Sequence, residues 1–278
     1  MEDLPRGAAP WTLDEQLDQI ERAHYQVVAV DLGARRAPAA AELAAAITDR
    51  PLESAVFVFA GSDAELADAL RYAEAIGARD LVLCARTYTQ DLSEAATTVE
   101  RWHAMAAAAG VDLQLETHRN TLTNDLRFTR RLADVLDPSI RLAIDLSHYI
   151  VGAEIPTEPG EEIEAQIAGI LARAGSVQGR IASRCQVQLP LHHASTAPWI
   201  ALARRWWRDA FAVILREQPA APVTFVTELG TTPYAITDAD GVEVSDRWAE
   251  AALLREWAAA DLAAASAVHH STVSPLSA

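Results

Sequence analysis

Glu116 and His118 close the run Leu113-Gln-Leu-Glu-Thr-His118, two residues apart and so on one face of an extended chain. Asp145 closes a second apolar run, Arg141–Leu146, with His148 a turn later. A third run, Val223–Glu228, ends in Glu228, and Arg184, Gln186 and Gln188 alternate along Ile181–Leu189. In a parallel α/β barrel the site lies where the strands end. Three carboxylates gathered there repel one another strongly in a low-dielectric mouth. A divalent cation is the simplest relief, and carboxylates with a neutral oxygen donor suit Mn²⁺, Mg²⁺ or Co²⁺ better than a thiolate-rich zinc site. Taken singly, each carboxylate reads equally well as a solvated strand end or a helix cap. His118 and His148 read as an acid/base pair, because imidazole titrates near neutrality. His192 and His193 form a weaker candidate pair, and Cys84 and Cys185 read as core residues.

The elements that must position these groups are visible as alternation. Short runs rich in Val, Ile and Leu (Val27–Asp31, Ala55–Ala60, Asp80–Ala85, Asp112–Thr117, Arg141–Leu146, Ile181–Leu189, Val223–Glu228) predict strands. Between them, Ala-, Leu- and Glu-rich segments predict helices at Asp63–Ile76, Leu92–Ala109, Asn124–Leu136, Glu161–Ala174 and Pro198–Gln218. Gly77 and Gly110 stand where helix-ending glycines belong. This succession predicts an α/β fold, a TIM (β/α)8-type barrel, over residues 1–263, with a flexible tail from 264 to 278 that includes His269 and His270. The first strand is missing or atypical, since a helix over Thr12–Ala23 precedes every strand pattern. Tyr234–Val244 reads as a small hairpin. No Gly-x-Gly-x-x-Gly follows the first strand, so a dinucleotide fold has no support.

Composition narrows the chemistry further. The 278 residues carry 23 basic and 39 acidic side chains, a net charge of −16, which disfavours nucleic acid and anionic membranes as partners. Every basic residue is Arg. Lysine Schiff-base chemistry and a Walker-type phosphate lysine are therefore excluded. Two cysteines in a chain this long predict a reducing, cytoplasmic setting. The polar start MEDLPRGAAP has no apolar signal core. Trp206 and Trp207, adjacent on one predicted helix, leave room for a homo-oligomer interface or for burial within the subunit.

The run Leu115-Glu-Thr-His-Arg-Asn-Thr-Leu-Thr-Asn-Asp125, followed by Ala143-Ile-Asp-Leu-Ser-His148, resembles the xylose-isomerase-like TIM-barrel superfamily of sugar-phosphate isomerases and epimerases. Within it, the Glu-Thr-His-x-Asn-Thr stretch is most similar to 3-dehydroshikimate dehydratases. The resemblance implies a divalent metal on Glu116, Asp145 and Glu228. It places His118 and His148 where substrate and protons are handled, and gives Glu116 and Glu228 the proton-carrying role of the epimerases. The family's metal histidine has no counterpart on Ile181–Leu189, so Gln186 stands as the fourth ligand, with Gln188, Arg184 and Asn120 as substrate contacts.

The function expected from these readings is a metal-dependent sugar or sugar-phosphate isomerase/epimerase. It would abstract a proton next to the carbonyl of a small polyhydroxy substrate through an enediolate. The alternatives are a dehydratase or β-eliminating lyase on a cyclic keto-polyol such as 3-dehydroshikimate, and a catalytically silent barrel subunit. A DNA-repair endonuclease of the same superfamily is disfavoured by the acidic surface and the lack of a histidine-rich zinc set.

Overall fold

The computed structural model describes residues 1, 4, 5 and 9–273. The side chains of 269–273, including His269 and His270, lie outside the described residues, as do 274–278. Seven strands follow one another in chain order: β1 Val27–Asp31, β2 Glu53–Ala60, β3 Asp80–Ala85, β4 Asp112–Glu116, β5 Arg141–Ile144, β6 Ala174–Gly179 and β7 Thr224–Thr227. The helices are α1 Leu13–Arg22, α2 Ala40–Ile47, α3 Asp63–Ala75, α4 Leu92–Ala108, α5 Leu126–Val135, α6 Ser147–Gly152, α7 Glu161–Leu171, α8 Ala197–Glu217 and α9 Arg247–Val273. This is a (β/α)8-type succession one strand short among the described residues, with α1 ahead of β1. The long helix α9 continues past Ala263, where a tail was expected to begin.

The chain forms two compact units. The first comprises residues 1–116, 120–122 and 135–140; the second comprises 117–119, 123–134 and everything from Arg141 onward. In the first unit β1, β2, β3 and β4 pair in parallel. β2 and β3 are almost wholly buried, which is why they read as unbroken apolar runs: a parallel strand is covered on both faces. Ser62 caps α3 through the Glu65 N–H, and α3 is tied to α4 by the Trp102 indole N–H, which donates to Asp63 at 2.6 Å. Gly77 and Gly110 follow α3 and α4 with φ of +68° and +72°, a left-handed turn that a side chain would strain.

In the second unit β5, β6 and β7 pair in parallel. Gly179 lies opposite the Phe225 ring, so close that a Cβ there would come within 2.2 Å of it. Phe225 in turn meets Trp207 edge-on, with ring centroids 5.1 Å apart, and Phe211 at 6.1 Å. Trp206 and Trp207 are both buried against their own unit. Arg204 and Arg208 of α8 converge on the buried Asp261 of α9, at 2.8 and 2.9 Å, locking the two helices together.

One predicted strand is corrected. Ile181–Leu189 is not a strand; the sixth strand is β6, Ala174–Gly179, and residues 181–189 form the loop that follows it. The sequence Ala-Gly-Ser-Val-Gln-Gly is small and polar, yet all six residues are buried, because its flat surface lets Phe225 pack closely. As a consequence Cys185 is exposed and is not a core residue, whereas Cys84 is buried in β3. The Tyr234–Val244 segment closes on a single antiparallel bridge, Thr237 to Glu243.

Candidate functional site

The polar groups of the second unit meet at the C-terminal ends of its strands. Immediately after β4, the Thr117 N–H donates to the Ala143 carbonyl (3.0 Å). The Thr117 hydroxyl accepts the Asp145 N–H at 2.8 Å and donates to the Asp145 carbonyl at 2.9 Å. Next, the His118 N–H donates to the Thr123 hydroxyl at 3.0 Å, and the Tyr149 hydroxyl donates to the Thr123 carbonyl at 2.9 Å. Asn120 sits at the turn between them with φ of +55°, a conformation Asn tolerates. The chain thereby lays the two histidines ring against ring, with centroids 4.0 Å apart and planes tilted by 52°.

Asp145 is completely buried. Its Oδ1 accepts the Ser147 N–H at 2.8 Å; its Oδ2 accepts Arg180 Nη2 at 2.8 Å and stands 3.4 Å from His148 Nε2. The same Arg180 Nη2 also donates to Glu228 Oε1. Arg180 follows β6 directly and by the two-residue period shares a face with Ser176 and Gln178. Its guanidinium is 1% exposed and lies 5.1 Å from the centre of the Tyr234 ring. Tyr234 also meets the Arg119 guanidinium at 5.1 Å.

These contacts set the charges. Burial pushes the Asp145 carboxyl up, but the Arg180 charge, His148 and the Ser147 hydrogen bond outweigh it and bring the group down to about 2. Burial holds the His118 and His148 imidazoles below their ordinary value, His148 strongly so, against the pull of the Asp145 charge. Burial also disfavours the charged Arg180, but Glu228 and Asp145 reverse this and leave it more firmly protonated than a free arginine. At neutral pH the cluster therefore holds a fixed cation, the ionised Asp145 carboxylate and two neutral imidazoles. Neither ring nitrogen of His148 has a hydrogen-bond partner among the described residues, and the buried Gln178 amide is equally unpartnered.

In the first unit Glu116 ends β4, buried, and its Oε2 accepts the Cys84 thiol of β3 at 2.9 Å. Buried carboxylate, thiol and neutral imidazole groups of the kinds that hold a divalent ion are thus present in the chain.

The remaining sequence candidates are placed as follows. Gln186 is exposed in the loop after β6, its backbone paired with Ser183. Gln188 is buried, and its amide both donates to and accepts from the Gly230 backbone, at 2.9 and 2.8 Å. Arg184 and Asn120 are exposed. His192 and His193 are exposed neighbours, with His192 Nδ1 3.6 Å from Glu250. Sequence reasoning passed over Arg180 and Gln178. The signal for both was the polar alternation Ser176, Gln178, Arg180 inside a stretch too small and polar to resemble a strand.

No protein-family model and no curated protein matches the sequence. Solved structures do match across nearly the whole chain. A D-allulose 3-epimerase from Methylomonas sp. in complex with D-allulose aligns with a TM-score of 0.61 at 14% identity, covering 89% of this chain and 90% of that one. The fold is that of the xylose-isomerase-like TIM barrels. A protein of that description from Mycobacterium smegmatis, in complex with magnesium, aligns at 0.59 and 17% identity over 91% of this chain and 88% of its own. A probable 3-DHS dehydratase of petrobactin synthesis from Bacillus anthracis aligns at 0.52 and 12% identity over 88% and 94%. Among the described residues no helix is long and apolar enough to cross a membrane.

Proposed function

We propose that this chain is an isomerase or epimerase that moves a proton at a carbon beside the carbonyl of a small polyhydroxy compound. The observation that carries this reading is the pair of buried, neutral imidazoles, His118 and His148, with the ionised Asp145 beside His148. A neutral imidazole can accept a substrate proton, and Asp145 stabilises the imidazolium that results. Arg180 faces the same carboxylate and supplies positive charge where an enediolate oxygen develops its negative charge. The likeness to a D-allulose 3-epimerase supports a keto-sugar as the substrate class.

A divalent ion fits the donor chemistry as cofactor. Glu116, Asp145 and Glu228 are the carboxylates proposed to hold it, with Gln186 as a neutral donor, and Asp145 and Glu228 are open to it only when Arg180 releases them. When bound, the ion polarises the carbonyl and an adjacent hydroxyl. Glu116 and Glu228 are the proposed alternative proton carriers. Arg184 and Asn120 are proposed contacts for the outer hydroxyls, and Gln188 acts by fixing Gly230.

A second reading is dehydration of a cyclic keto-polyol such as 3-dehydroshikimate, favoured by the Glu116–Asn120 motif and by the match to a probable dehydratase. One experiment separates the two. Keto-sugars, inososes and 3-dehydroshikimate are incubated with the protein and Mn²⁺ in deuterated water. Deuterium entering a substrate carbon is the expected result, and replacing His148 by Ala slows it by about 10²–10⁴-fold. A new product absorbance without exchange, an enone from an inosose or keto-sugar or an aromatic diphenol from 3-dehydroshikimate, selects the dehydratase. No exchange and no such absorbance with any compound leaves a silent subunit.

A further inference from the structure

Two carboxylates carried by separate strand ends converge on one nitrogen. Arg180 Nη2 donates to Asp145 Oδ2 at 2.8 Å and to Glu228 Oε1. His148, nine-tenths buried or more and with both ring nitrogens lacking a hydrogen-bond partner, brings Nε2 to 3.4 Å from that same Asp145 oxygen. Two carboxylate oxygens on one positive centre, with a neutral imidazole nitrogen beside one of them, are donors of the kinds that hold a divalent ion. Here the centre is a guanidinium on a protein side chain. A guanidinium is weakly hydrated and delocalised, so it tolerates burial better than an ammonium would. The Tyr234 ring stacks against it, 5.1 Å from the guanidinium carbon.

We propose that Arg180 is a tethered cation that competes with a divalent metal for Asp145 and Glu228. While Arg180 is seated, these two carboxylates are neutralised and closed to an ion. With Arg180 withdrawn, Asp145, Glu228 and His148 become a three-donor site within the second unit. The competition is between charges at one position: seating the ion brings two positive charges to a place already holding one, which costs most where water is excluded. The inference rests on the reading above only in taking a divalent metal as the competitor.

The test is Mn²⁺ titration of the metal-free full chain by calorimetry, with no substrate present. Arg180→Met is expected to bind one Mn²⁺ at least tenfold more tightly than the unaltered chain, and to gain more thermal stability from it. The double variant Arg180→Met with Glu228→Gln is expected to lose that gain. Equal or weaker binding by Arg180→Met, or tightening that survives Glu228→Gln, overturns the proposal. If Arg180→Met does not fold, Arg180→Lys decides. A lysine ammonium reaches one of the two carboxylates, so an intermediate tightening supports the competition and unchanged or weaker binding refutes it. Turnover is not read in this titration. A protein that exchanges no substrate proton but shows the tightening refutes the enzymatic reading alone, and the reverse result refutes the competition alone.

Discussion

Arg50 in the first unit and Arg180 in the second each gather several carboxylates, and they show how little the pattern of pairing says without burial. Arg50 reaches Asp18 and Glu21 at 2.7 Å and Asp14 at 3.4 Å, linking α1 to the end of α2. Its side chain is 18% exposed and its partners more so, up to 77% for Asp14. Water and salt screen such a network, and losing it leaves each carboxylate to be solvated. Arg180 has two carboxylate partners instead of three, but it and Asp145 are out of reach of water. There each charge depends on the other, because the alternative is an unpaired ion in a low-dielectric interior.

The widest separation between the two arginines is expected on their removal. Arg180→Met is expected to destabilise the fold by roughly 3–5 kcal/mol, since it strands Asp145 without its counter-ion. Chemical denaturation of the purified variant measures this, and a loss below about 1 kcal/mol would place Arg180 with Arg50. The acid limb of stability gives a smaller signature. The folded-state value of Asp145, about 2, lies below its ordinary 3.8. Its ionised form therefore stabilises the fold at every pH above that ordinary value, and the contribution, about 2 kcal/mol, is lost as pH falls from about 4 toward 2. Denaturation curves at stepped pH should show that slope in the unaltered chain and a shallower one after Asp145→Asn. The smallest effect belongs to Arg50→Met, expected to cost no more than about 1 kcal/mol. That cost should shrink further in 0.5 M salt, on the order of a 4 Å Debye length; a salt-insensitive loss would mean that the Arg50 stem, rather than its charge, holds α1 in place.

Most of the barrel succession was legible because buried parallel strands such as β2 and β3 are unbroken apolar runs, and because Gly77 and Gly110 mark helix ends by their backbone conformation. Glu116, Asp145 and Glu228 stood out because each interrupts or closes such a run. β6 was hidden for the opposite reason. Its burial comes from small residues packed under Phe225, so hydropathy favoured the neighbouring Ile181–Leu189, and the glutamine of the strand itself, Gln178, was passed over for Gln186. Misplacing that strand also concealed Arg180. With no cation in view, repulsion among carboxylates pointed only to a metal, whereas at Asp145 and Glu228 the chain supplies its own positive charge. Helix α6 escaped notice because six residues are too few to show a period.

The single hydroxyl of Thr117 has a further consequence. It takes the amide hydrogen of Asp145 and returns its own to the carbonyl of the same residue, so two stretches of backbone from different strands share one hinge pin. The loop bearing His118 and the backbone bearing Asp145 must then shift together. Swapping Thr117 for valine would keep the bulk yet uncouple them, letting imidazole and carboxylate wander independently.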